Sequence, residues 1–110
     1  MPRNVFVTEG VAGTTFTQTS TNTAAVLTAA SLLSASGNRC LGALITCETN
    51  DVRFALGDAV PVSDGLGHVL ADEQSIWLGS AAALQSMQII SSTAGAHGVL
   101  MITPFFEPGR

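Results

Sequence analysis

The sequence predicts an all-β chain, a single antiparallel sandwich of roughly seven or eight strands. Three observations carry this. Apolar residues from Leu41 onward recur at every second position in short runs. Turn residues separate these runs every 8–12 positions, the spacing of sandwiches and barrels. The first part of the chain is rich in β-branched Thr, which favours extended backbone.

The elements follow in order. Gly10 to Thr23 is polar and Thr-rich, with little apolar surface to hold it down, and reads as an N-terminal arm or edge strand. The division is thus an arm over residues 1–23 and a sandwich over 24–110. Ala24 to Ala35 fits a helix capped by Asn22 or Thr23, and fits short strands about as well; the β-like remainder favours strand. Leu41, Ala43, Ile45 and Cys47 share one parity, and Val52, Phe54 and Leu56 share another run's face. Glu48-Thr49-Asn50-Asp51 between them is turn chemistry, so the two runs read as a hairpin.

Residues 57–67 form a loop punctuated by Gly and Pro. His68-Val69-Leu70 and Ser75-Ile76-Trp77-Leu78 are short strands across the turn Ala71-Asp72-Glu73-Gln74. Ser80 to Leu84 suits one helical turn, and Met87 to Ile90 a strand. Gly95-Ala96-His97-Gly98 is a turn. Val99 to Phe106 is the last strand, where Pro104 implies an edge position or a bulge. The expected core is Leu44 or Ile45, Val52, Phe54, Leu56, Ile76, Leu78, Ile89, and Leu100 or Met101.

Composition excludes several function classes. Of 110 residues only 12 are charged, four Arg and eight acidic, with no Lys. Four scattered Arg and a net charge of −4 do not neutralise a run of phosphates, so no nucleic-acid partner is expected. No polybasic anchor and no apolar run of 18 residues is present, so no membrane association is expected; neither is a signal peptide. The polar quota is filled by 12 Thr, 10 Ser and 11 Gly. A surface so short of charge suits a subunit that buries much of itself against neighbours.

Site chemistry is sparse. Cys40 and Cys47 are seven apart and His68 and His97 are 29 apart, against the close ligand pairs of structural zinc sites. A Cys40–Cys47 disulfide needs Cα atoms within about 7 Å. A continuous strand would hold them roughly 23 Å apart. GxSxG is absent, and Gly65-Leu66-Gly67-His68 lacks the third glycine of a dinucleotide loop. Asp58 and Asp64 bracket the Gly-rich loop and offer a weak Ca²⁺ reading; turn-forming Asp is the simpler one. No catalytic residue, cofactor or metal is expected. Trp77 falls on the parity opposite Ile76 and Leu78, one of adjacent Phe105 and Phe106 must leave the core face, and Val5, Phe6 and Phe16 sit towards the N-terminus in a stretch too polar to make its own core; these six are the candidate interface, unless the sandwich buries both faces of some strands.

Val52-Arg53-Phe54-Ala55-Leu56-Gly57, the Pro-containing loop, Gly67-His68-Val69-Leu70, Ser75-Ile76-Trp77-Leu78 and Met87-Gln88-Ile89-Ile90 resemble small virion structural proteins of tailed bacteriophages over residues 44–106. The resemblance implies a jelly-roll-like sandwich, made in the host cytoplasm, that decorates or cements the capsid surface. Its partner would be the major capsid protein. A homo-oligomer, dimer or trimer, is expected from the shortage of charge. The alternatives are a tail or fibre module that binds a receptor, and a small β-barrel that binds a glycan.

Overall fold

The structure, a computed structural model, describes residues 10–27 and 39–107. The chain forms two antiparallel sheets that face one another across an apolar core, as the strand spacing predicts. Nine strands and one short helix are described: β1 (Val11–Ala12), β2 (Phe16–Thr19), β3 (Ala25–Val26), β4 (Cys40–Glu48), β5 (Val52–Ala55), β6 (His68–Leu70), β7 (Ser75–Leu78), α1 (Ala81–Ser86), β8 (Gln88–Ser91) and β9 (Val99–Phe106). In one sheet β9 lies between β4 and the β1–β2 edge, and β7 lies beyond β4. The other sheet has the order β3-β8-β5-β6. The pairings nest: β2 with β9, β3 with β8, β4 with β7, β5 with β6.

The long central strands obey the period of two. On β9, Leu100, Ile102, Pro104 and Phe106 are buried, and the residues between them are half-buried on the outside. On β4, Ala43, Ile45 and Cys47 point inward. Of the expected core, Ile45, Val52, Ile89 and Leu100 are buried in it. Phe54, Leu56, Ile76 and Leu78 only pack against it from its margin. Leu27, Leu70, Leu84, Met87 and Ile102 complete it. Phe54 lies beside the exposed ring of His68, with centroids 5.4 Å apart. A half-exposed ring forfeits part of its burial, so Phe54→Ala should cost about 1–3 kcal/mol rather than the 3–5 of a core aromatic. Urea denaturation measures it.

Three local expectations change. The runs 41–47 and 52–56 do not form a hairpin, because β4 is in one sheet and β5 in the other. Both edges of β4 are already taken by β7 and β9, so β5 has no ladder to join. The chain instead turns a corner at Glu48 to Asp51, with Thr49 at φ 85. The Cys47 thiol donates to the Asn50 carbonyl at 3.0 Å, and Asp72 Oδ1 accepts from the Thr49 amide at 2.9 Å. The turn after β6 is likewise a crossing between sheets, since β6 pairs with β5 and β7 with β4. Pro104 is not on an edge strand: β9 is paired on both sides. Its carbonyl accepts from Gly13, so its missing N–H faces the same side, where the ladder is interrupted between β1 and β2. Nor is there a bulge at Pro104, which pairs in register with Ala43; the register shift of this ladder lies on β4, between Cys40 and Gly42, opposite Phe105 and Phe106.

The helical turn expected over Ser80 to Leu84 is α1, with Ser80 as its N-cap. Ser80 accepts from the Ala83 amide, and only Leu84 of its residues is buried. β3 carries the strand expected early in 24–35; residues 28–35 lie outside the described residues.

Burial pushes the Cys47 thiol up to about 11, with Asp51, Asp72 and Glu48 adding in the same direction. The folded state therefore prefers the neutral thiol more than the unfolded chain does. This stability is fully present below the ordinary thiol range and is lost as pH rises through about 11. The denaturation midpoint should fall above about pH 9, the unfolded thiol's range. Cys47→Ser should fall less steeply there.

Candidate interaction face

The outer face of the β1/β2-β9-β4-β7 sheet is built from the residues that the core does not use. Register places Met101 beside Thr17 and Thr46, and Leu44 between Thr103 and Trp77. Hydroxyl pairs tie the strands together on this face, Thr46 to Ser75 at 2.7 Å and Thr15 to Thr103 at 2.6 Å. Trp77 meets Phe105 edge to face, with centroids 5.4 Å apart and planes at 79°. Gly79 makes room for the indole, which a Cβ there would meet at 3.0 Å; a Cβ on Gly42 would first meet the Leu78 carbonyl oxygen at 2.5 Å and then the indole at 3.0 Å. Neither glycine has a positive φ, so it is close approach rather than backbone freedom that requires them.

Every residue placed on this face from Ala12 and Phe105 to Thr17 and Ser75 is uncharged; Glu48 borders one end, next to Val99, and the Arg39–Glu107 ion pair, at 3.0 Å, borders the other, beyond Phe105. An exposed sheet face usually carries charge on its outward parity. Here aromatic, aliphatic and hydroxyl side chains occupy it.

The expected interface residues divide. Trp77 and Phe105 are on the outer face together, half-buried. Phe16 pairs with Ile102 and packs against the core, and Phe106 is buried. These two face inward because Ile102 and Phe106 are on the buried parity of β9. Val5 and Phe6 lie outside the described residues.

A second surface was not anticipated. Residues 57–67 fold back over the other sheet. The Arg53 guanidinium donates to the carbonyls of Gly65 at 2.8 Å and Gly67 at 3.2 Å. The Ser63 hydroxyl donates to the Ser91 carbonyl at 2.7 Å, and Pro61 is fully buried. So anchored, the loop presents Val60, Val62 and Leu66, each more than half exposed. Asp58 and Asp64 adopt φ of 67 and 57 in this loop and serve as its turn residues. Among the described residues no group of three or more His, Cys, Asp or Glu is placed to hold a metal. The signal for this surface was the alternation of Val and Leu with Pro, Gly and Asp in 59–66.

Ser91 Oγ lies 2.8 Å from His97 Nδ1, the spacing of a nucleophile and its base. Ser91 is fully buried, and its hydroxyl also meets Ser20 Oγ at 2.9 Å, so no substrate carbonyl reaches it. Cys40 and Cys47 are free thiols. Among the described residues no helix is long and apolar enough to cross a membrane. In comparison with known proteins, the chain matches no family model, no curated protein and no solved structure.

Proposed function

We propose that the protein is a non-enzymatic virion subunit that binds the outside of a tailed-phage capsid as a decoration or cement protein. The observation that carries this is the uncharged outer sheet face centred on Trp77 and Phe105. Desolvating it leaves no unpaired charge, and a Trp–Phe pair is the kind of anchor that dominates interface energetics. The nested strand pairing supports the jelly-roll reading, an architecture that recurs in viral capsid and lectin domains. The sequence resemblance over residues 44–106 supplies the phage context. Each copy, by binding only the assembled geometry, stabilises the shell by mass action. The same face suits the major capsid protein as partner, and a dimer or trimer on the shell.

A second reading, a tail module that binds a receptor, is favoured by the anchored apolar loop bearing Val60, Val62 and Leu66. One experiment separates the two. The protein is stripped from source particles and added back, and thermal rupture and host adsorption are measured. Restored rupture resistance supports cementing. Unchanged rupture with lost adsorption overturns it in favour of the receptor reading. Attachment should depend weakly on salt.

A further inference from the structure

We propose that a second copy of this chain pairs with the free edge of β7, strand against antiparallel strand, about a two-fold axis at Ile76. The direction of the backbone bonds on β4 identifies the free groups. The Cys47 amide donates to the Gln74 carbonyl at 2.9 Å, and the Cys47 carbonyl accepts from the Glu73 amide at 2.7 Å. Backbone groups alternate sides along a strand, so Cys47, Ile45 and Ala43 bond towards β7. The other flank of β4 agrees: the Pro104 carbonyl, opposite Ala43, is turned away from β4 and accepts from Gly13. The partners of Ile45 and Ala43 are Ile76 and Leu78, which therefore direct their backbone groups at β4. Ser75 and Trp77 turn theirs outward, where no described residue meets them.

Native edges are blunted by short length, proline, lysine or a bulge. The other edges of this sandwich follow that rule. β3 has two residues and β6 three. On β2, Gln18 Nε2 donates to the Val26 carbonyl at 2.9 Å and so spans the gap to the opposite sheet. β7 has none of these devices. It reads Ser-Ile-Trp-Leu, without charge or proline, and its ladder to β4 runs without a register shift. Ile76 and Leu78 pack against the core yet stay half-buried, since no strand of this sheet lies beyond them.

A copy of the same strand matches this edge in hydrogen bonding and in charge. With the axis at Ile76, Ser75 of each copy lies opposite Trp77 of the other, and each such pair exchanges two backbone bonds. All the outward groups of both strands are then satisfied. Ile76 meets its own copy on the axis, which completes its burial. The nearest charge on the chain is Glu73, three positions from the axis, and residues 75–80 opposite it are uncharged. Antiparallel pairing therefore holds the two Glu73 about 20 Å apart along the ladder, beyond the screening length of about 8 Å. The outer face runs on across both copies, and the pairing does not depend on what that face binds. One short strand from each side makes a small interface, so the dimer is of the weak class.

The test is sedimentation of the full chain from about 1 μM to about 1 mM, where a weak dimer forms and dissociates. A monomer–dimer equilibrium is expected. Ser75→Pro removes one outward N–H and leaves the bonds to β4 in place. Ser75→Ala loses the same hydroxyl and keeps the N–H. The dimer dissociation constant of Ser75→Pro should be about thirtyfold above that of Ser75→Ala, because symmetry deletes the bond once in each half. Hydrogen exchange of the natural protein decides even if Ser75→Pro does not fold. The Ser75 and Trp77 amides should gain about tenfold protection as the dimer fills, while Ile76 and Leu78 stay protected throughout. A monomer at the highest concentration overturns the proposal. So does an oligomer in which the Ser75 and Trp77 amides stay unprotected, or one that Ser75→Pro forms as tightly as Ser75→Ala.

Discussion

Trp77→Arg should weaken attachment to the source particles by about a hundredfold, the scale of losing a central aromatic anchor. It should also leave the sandwich folded. The two outcomes part because Trp77 is half-buried on the outward parity of an edge strand, with core-facing Ile76 and Leu78 on either side. A guanidinium there reaches water in the free protein and is trapped without a partner in the bound one. The cost of an unpaired buried charge then falls on the complex alone. Val62→Arg, on the anchored loop, is the matching control and should leave attachment unchanged. Binding to stripped particles, measured by co-sedimentation, decides. Loss with Val62→Arg and retention with Trp77→Arg would move the contact surface to the loop.

Ile45→Ala should destabilise the fold by about 2–5 kcal/mol. Ile45 is 0% exposed in the middle of the central strand, in register with Ile76 on one side and Ile102 on the other. β7 and β9 are both laddered to β4 along its length, so the space closes only in part and a cavity adds to the lost transfer free energy. Leu44→Ala, one residue away on the opposite face, should cost about 1 kcal/mol or less in the free protein. Urea denaturation of the pair tests the segregation of the two faces directly. Equal losses would contradict it.

These two predictions also mark what could be read before the fold was known. The parity of β4, β7 and β9 was legible, because alternation is a local signal and a buried face enforces it. That parity put Trp77 outside and Ile76 and Leu78 inside. It did not place Phe16 or Phe106. Phe16 takes its face from Ile102, a partner 86 positions away, and adjacent Phe105 and Phe106 must split between faces with nothing local to say which goes where. The corners at 48–51 and 71–74 were misread for a related reason. Turn residues reverse a chain within a sheet or carry it to the opposite sheet with the same composition. The choice depends on whether β4 has a free edge, and that is decided by β7 and β9. The anchoring of the loop is equally non-local: Arg53 alternates with Val52 and Phe54 like any outward strand residue, and only the fold brings its guanidinium to two loop carbonyls.

The nested pairing has a consequence for how the molecule is made. The innermost pair, β5 with β6, closes a short loop, whereas β2 with β9 joins the two extremes of the described chain. Closing the outer pairs costs the most chain entropy and comes last. The strand that completes them, β9, is also the last described strand to leave the ribosome. It is the one to which β1, β2 and β4 all bind. Until it emerges, the edges of β2 and β4 lie open to other chains, and a nascent copy among many identical ones is exposed to strand exchange. Synthesis from dense polysomes should therefore favour intertwined, domain-swapped species over those obtained by dilute refolding.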